Sequence, residues 1–98
     1  MYILKRNKQS QQFNPEKIEK ALEKCFRSVG KKDAKEAAQK YTELVLNELT
    51  HKKTLHSVTY ESNYPIELIQ DTVESILLNA SEFPAYEEYS RYRKEREI

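Results

Sequence analysis

The chain has 98 residues, enough for one domain with one modest core. Its 17 Lys and Arg nearly balance its 16 Asp and Glu, leaving a net charge of +1. This argues against a general nucleic-acid binder, which carries a marked basic excess. One cysteine, Cys25, allows no internal disulfide, so a reducing cytoplasm is the expected setting. No apolar run reaches the ~20 residues of a membrane span, and residues 1–12 hold no apolar signal core.

In chain order, Tyr2-Ile3-Leu4 opens a β-like segment that runs into Lys5-Arg6. Asn7-Lys8 reads as a tight turn, Asn being tolerant of the left-handed conformation and Lys much less so. Ser10 to Phe13 forms the return strand, which gives a hairpin over Tyr2–Phe13. Asn14-Pro15-Glu16 then reads as a helix start, with Asn as cap, Pro at the first helical position and an acid in the first turn. Ile18, Ala21, Leu22, Cys25, Phe26 and Val29 recur at helical spacing. Gly30, the only glycine, falls where a helix C-cap is expected, so the first helix covers about Pro15 to Val29.

Asp33 caps a second helix with a stripe of Ala34, Ala37, Ala38, Tyr41, Leu44, Val45 and Leu49, fading near Thr50. Thr54 to Tyr60 is rich in β-branched and aromatic residues and reads as a short third strand, paired with the hairpin. Asn63-Tyr64-Pro65 reads as the start of a third helix, striped by Ile66, Ile69, Val73, Ile76, Leu77 and Ala80. After a break at Ser81–Pro84, a fourth helix runs from about Pro84 to Glu95 and carries Tyr86, Tyr89 and Tyr92. The expected fold is α+β: a four-helix bundle capped by a small three-stranded sheet that includes the N-terminal hairpin, as one domain over 1–98.

Catalysis finds little support in these residues. One glycine cannot make a Gly-rich phosphate loop of the P-loop or Rossmann type. One Cys and two His give no zinc spacing. Cys25 lies on the apolar stripe of the first helix and reads as a small core residue. Glu87 and Glu88, adjacent on a helix, diverge into solvent. A small-molecule site would have to use side chains and helix ends. A hairpin folded over the start of the first helix brings Lys5, Arg6 and Lys17 around one anion, beside Ile3, Phe13 and Ile18 as apolar contacts. The competing reading makes the three cations ordinary solvated charges and the three apolar residues core. Arg93-Lys94 suits the negative end of its helix dipole whether or not it binds a ligand. Tyr86, Tyr89 and Tyr92 either close the core or form a partner surface.

Three segments together resemble the ATP-cone domain of ribonucleotide reductases. They are Ile3-Leu4-Lys5-Arg6-Asn7-Lys8 followed by Phe13-Asn14-Pro15-Glu16-Lys17-Ile18, then Ile66 to Glu74, then Tyr89-Ser90-Arg91-Tyr92-Arg93-Lys94. They occur in the family's order and span about residues 2 to 95. The resemblance implies the same helical bundle and sheet cap. It implies binding of ATP or dATP with Mg²⁺ by a regulatory, non-catalytic module, with no protein ligands to a metal of its own. By position, Lys5, Arg6, Lys17 and Lys94 would hold phosphates, and Ile3, Gln11, Phe13, Ile18, Ile66 and Gln70 would line the base and sugar pocket. The implied partner is a ribonucleotide reductase catalytic subunit or fused domain, with assembly into homo-oligomers; membranes and nucleic acid are not expected partners. Lys8 stands where the family favours Gly, Gln11 where some relatives carry an acid, and Gln70 where a His can stand. These departures motivate a second reading, a degenerate ATP-cone that serves as a protein-interaction or oligomerisation module without nucleotide.

Overall fold

A computed structural model describes residues 2–4, 10–12, 14–55 and 63–96 of the chain, and side chains within 14–51 and 66–95. Helix α1 spans Pro15–Ser28, α2 Ala34–Leu55, α3 Ile66–Asn79 and α4 Phe83–Arg96. Three three-residue strands accompany them: β1 Tyr2–Leu4, β2 Ser10–Gln12 and β3 Asn63–Pro65.

Helix α1 begins as its sequence dictates. Asn14 is extended (φ −126°, ψ 103°), and its side chain accepts the Glu16 N–H at 3.0 Å while Pro15 opens the helix. It ends in a Schellman motif: the Lys31 N–H reaches the Phe26 carbonyl at 2.9 Å and the Gly30 N–H reaches the Arg27 carbonyl at 3.1 Å. Gly30 holds φ +81°, the left-handed conformation for which a glycine is cheapest. Helix α3 ends in the same motif without a glycine. The Glu82 N–H donates to Leu77 at 2.9 Å and the Ser81 N–H to Leu78 at 3.0 Å, with Ser81 at φ +59°.

The helices pack in a ring, α1 on α2, α2 on α3, α3 on α4 and α4 back on α1. Short reversals make α1 antiparallel to α2 and α3 antiparallel to α4. Phe26 of α1 lies against Tyr41 of α2, ring centroids 5.6 Å apart. Ser28 near the end of α1 donates to Glu88 early in α4 at 3.1 Å, so these two helices are antiparallel as well. The core takes Ile18, Leu22, Cys25 and Phe26 from α1, then Ala34, Ala37, Ala38, Tyr41, Val45 and Leu49 from α2. Ile69, Val73 and Leu77 of α3 and Ala85 and Tyr89 of α4 complete it.

The α+β expectation of a bundle capped by a three-stranded sheet is corrected. Among the residues with described side chains, 87% lie in four helices, and those helices alone build the described core. The strands pair in the order β2-β1-β3, antiparallel between β1 and β2 and parallel between β1 and β3. Each is shorter than the usual five or six residues, too short to offer the helices a packed face. Their main attachment to the bundle is where β3 runs directly into α3.

Other boundaries differ too. Helix α2 does not stop near Thr50 but continues to Leu55, so Thr54 belongs to a helix. The expected strand over Thr54–Tyr60 is not formed at Thr54 and Leu55, and its remainder, 56–60, lies outside the described residues. The third strand is Asn63–Pro65, the segment whose Asn and Pro read as a helix start. Leu44, expected on the buried stripe, is 40% exposed. The expected Asn7-Lys8 turn lies outside the described residues.

Candidate functional site

The directions of the four helices define two different ends. One end holds the two helix reversals, 29–33 and 80–82. The other gathers the N-termini of α1 and α3, the C-termini of α2 and α4, and the three strands. Each helix N-terminus presents unpaired N–H groups and about half a positive charge. Two of them at one end make that end receptive to an anion, although Glu16 and Glu67 in their first turns offset part of the field.

Lys17 and Lys94 both belong to this end. Lys17 stands exposed in the first turn of α1, its N–H donating to the Asn14 carbonyl at 3.0 Å. Lys94 stands exposed in the last turn of α4. Among the described residues neither lysine forms an ion pair. Lys94 also borders a cleft of about 620 Å³ between α3 and α4, with Glu74, Tyr86, Glu87, Ser90, Arg91 and Arg93.

The expected apolar pocket residues have different fates. Ile18 is 9% exposed and packs into the core, which limits it to presenting an edge at this end. Ile66 opens α3 half-buried, and Gln70 follows one turn later, 8% exposed. Ile3 and Gln11 face each other across the β1–β2 ladder, and Ile3 pairs on its other side with Tyr64 of β3. That register sets Ile3 at the centre of the three strands. Lys5, Arg6 and Phe13 lie outside the described residues.

Sequence reasoning gave Arg93 no more than a helix-dipole role. The structure makes it the hub of an ion-pair cluster: its guanidinium lies 2.7 Å from Asp71 and 2.5 Å from Glu74, both on α3. Burial works against the guanidinium charge, but the hydrogen bonds to Glu74 and Asp71 outweigh it and hold the proton above the usual arginine range. The available signal was the i,i+3 spacing of Asp71 and Glu74, which puts two acids on one face of α3 opposite a cation of α4.

The tyrosines of α4 do not form an exposed row. Tyr89 is 5% exposed, and Tyr86 and Tyr92 pack half-buried against the core. Burial pushes the Tyr89 hydroxyl well above the ordinary tyrosine range, with Tyr92 acting in the same direction. Cys25 is buried beside it, and burial raises its thiol as well, which suppresses the nucleophilic thiolate. Among the described residues no group of three or more His, Cys, Asp or Glu side chains could hold a metal ion. No described helix is long and apolar enough to cross a membrane.

No curated protein was found to match the chain. The family model of the ATP cone domain matches residues 1–98. Domains of this kind bind nucleotides, and they regulate rather than catalyse. With the whole chain matched, the chain belongs to the ATP-cone domain family.

Proposed function

We propose that this chain is an adenine-nucleotide sensor, taking ATP or dATP with Mg²⁺ as an allosteric ligand and setting the activity of a ribonucleotide reductase, fused or separate. The family match carries this reading, and the convergence of Lys17 and Lys94 on one end of the bundle supports it. In this proposal Lys5, Arg6, Lys17 and Lys94 hold the phosphates. Ile3, Gln11, Phe13, Ile18, Ile66 and Gln70 line the base and sugar. The triphosphate brings its own Mg²⁺, since the metal favours phosphate oxygens and water over a dedicated protein cage. Gln70 offers hydrogen bonds without a charge, so base recognition here is neutral.

Thermal unfolding with Mg²⁺ and ATP, dATP, GTP or no nucleotide tests the reading. A ligand at a hundredfold excess over its Kd adds about 2.7 kcal/mol to the folded state. At about 4–8 °C per kcal/mol, the midpoint rises by roughly 10–20 °C. The expected result is a rise with ATP and dATP, none with GTP, and loss of the rise in Lys17→Ala. No rise with any nucleotide at millimolar concentration rejects it.

A second reading, an interaction module that has lost its nucleotide, draws on Lys8, Gln11 and the position of Tyr86 in the α3–α4 cleft. It requires self-association without nucleotide in sedimentation, weakened by Tyr86→Ala. A monomer at every concentration rejects it.

A further inference from the structure

We propose that Arg93 is a positioning residue of the nucleotide site: it masks Asp71 and Glu74, two α3 carboxylates that the α3–α4 register sets beside Lys94. The inference rests on the nucleotide-sensor reading and deepens it.

Two contacts fix that register. Arg93 pairs with Asp71, and Ser90 Oγ donates to Glu74 at 3.0 Å. Three residues forward on α4 therefore correspond to three residues back on α3. Extending the same antiparallel register by one residue sets Lys94 opposite Gln70. These two residues stand one helical turn on from Ser90 and Glu74, which already hydrogen-bond across the same pair of helices.

The electrostatic need follows from the ligand. A triphosphate approaching Lys94 also approaches Asp71 and Glu74. Glu74 has limited access to water to screen it, its side chain being 19% exposed, and Arg93 is 16% exposed. With Arg93 in place, one guanidinium faces both acids through charge-assisted hydrogen bonds and the local charge is −1. Without it the local charge is −2, beside the cation meant to attract phosphate. Lysine is a poor substitute, since a single ammonium lacks the planar fork that spans two carboxylates.

The test is isothermal titration of the full chain with Mg²⁺-ATP and with AMP. Arg93→Gln is expected to weaken ATP binding roughly tenfold, the scale of one lost positive charge acting on a nearby polyanion. The loss for AMP is smaller, because fewer phosphate charges meet the acids; a general loss of structure would weaken both ligands alike. Adding Asp71→Asn and Glu74→Gln to Arg93→Gln is expected to restore most of the ATP affinity. Should Arg93→Gln fail to fold, Asp71→Asn with Glu74→Gln in the presence of Arg93 is expected to bind ATP more tightly than the wild type. Equal losses for ATP and AMP, no loss in Arg93→Gln, or no recovery in the triple variant overturns the proposal. So does unchanged or weaker ATP binding in the Asp71→Asn/Glu74→Gln pair. If Lys17→Ala abolishes binding while Arg93→Gln does not alter it, the sensor reading stands and the role of Arg93 falls. If the wild type binds no nucleotide, both fall.

Discussion

Tyr41 donates its hydroxyl to Glu82 across 2.9 Å, joining α2 to the reversal between α3 and α4. Lys31 approaches the same carboxylate at 3.5 Å, so the two helix reversals are tied together at the end remote from the candidate site. Tyr41→Phe removes the hydroxyl and keeps the ring against Phe26. A loss of about 0.5–1.5 kcal/mol is expected, read by urea unfolding, while nucleotide affinity is unchanged.

Alkaline pH should destabilise the fold through the same tyrosine. Burial, with the Glu82 hydrogen bond and charge adding to it, pushes the Tyr41 hydroxyl up to about 12 from a normal 10. The folded state therefore holds the proton more tightly than the unfolded chain. Its contribution is fully present below pH 10 and is lost as pH rises through about 12. Tyr89, also raised, acts with the same sign. Unfolding midpoints measured from pH 8 upward should fall above pH 10, and less steeply in Tyr41→Phe than in the wild type.

The paired Schellman motifs give opposite predictions at equivalent positions. At Gly30 a Cβ would meet nothing within 4 Å, so Gly30→Ala is penalised by its positive φ alone, at roughly 1 kcal/mol. Ser81 already bears that penalty at φ +59°, and Ser81→Gly should stabilise by up to about 1 kcal/mol. Chemical denaturation of the two single variants checks both signs.

Thr42 is 6% exposed, and among the described residues its hydroxyl has no hydrogen-bond partner. Thr72, fully enclosed, donates to the Leu68 carbonyl at 2.7 Å. Thr42→Val replaces the unsatisfied hydroxyl with a methyl of the same branching and should stabilise by about 1 kcal/mol. Thr72→Val lacks this relief and should not stabilise; a calorimetric scan of the pair decides.

The helices were legible where local chemistry and tertiary packing agree. Asn14, Pro15 and Gly30 bracket α1 because a cap, a fixed φ and a left-handed residue act within the segment itself. The error at Thr54 has the opposite origin: a β-branched residue favours a strand only weakly, and α2 continues through Thr54 to Leu55. Asn63-Tyr64-Pro65 leads straight into α3 at Ile66, as its helix-start residues suggest, and also pairs as a strand, because Pro suits a helix start and an edge strand alike. Here β3 is an edge strand, so the missing Pro65 N–H interrupts no central ladder. For the candidate site, family positions pointed to Lys17 and Lys94, and the directions of α1 and α4 set both at one end of the bundle. The Asp71–Arg93–Glu74 cluster could not be read in this way, since only the antiparallel register of α3 and α4 brings those charges together.

The parallel pairing of β1 with β3 matches Tyr2 to Asn63 across the entire α1–α2 hairpin. Closing so long a loop carries an entropic cost that the ladder can meet only after the intervening helices have shortened the span. The helical hairpin therefore assembles early, through contacts between near neighbours in the chain, and the strands zip late. In native-state hydrogen exchange the amides of β1 and β3 should open before those of α1 and α2. The late-forming end is also the end assigned to the nucleotide, so a bound ligand would act as a kinetic latch, slowing the first step by which the molecule comes apart.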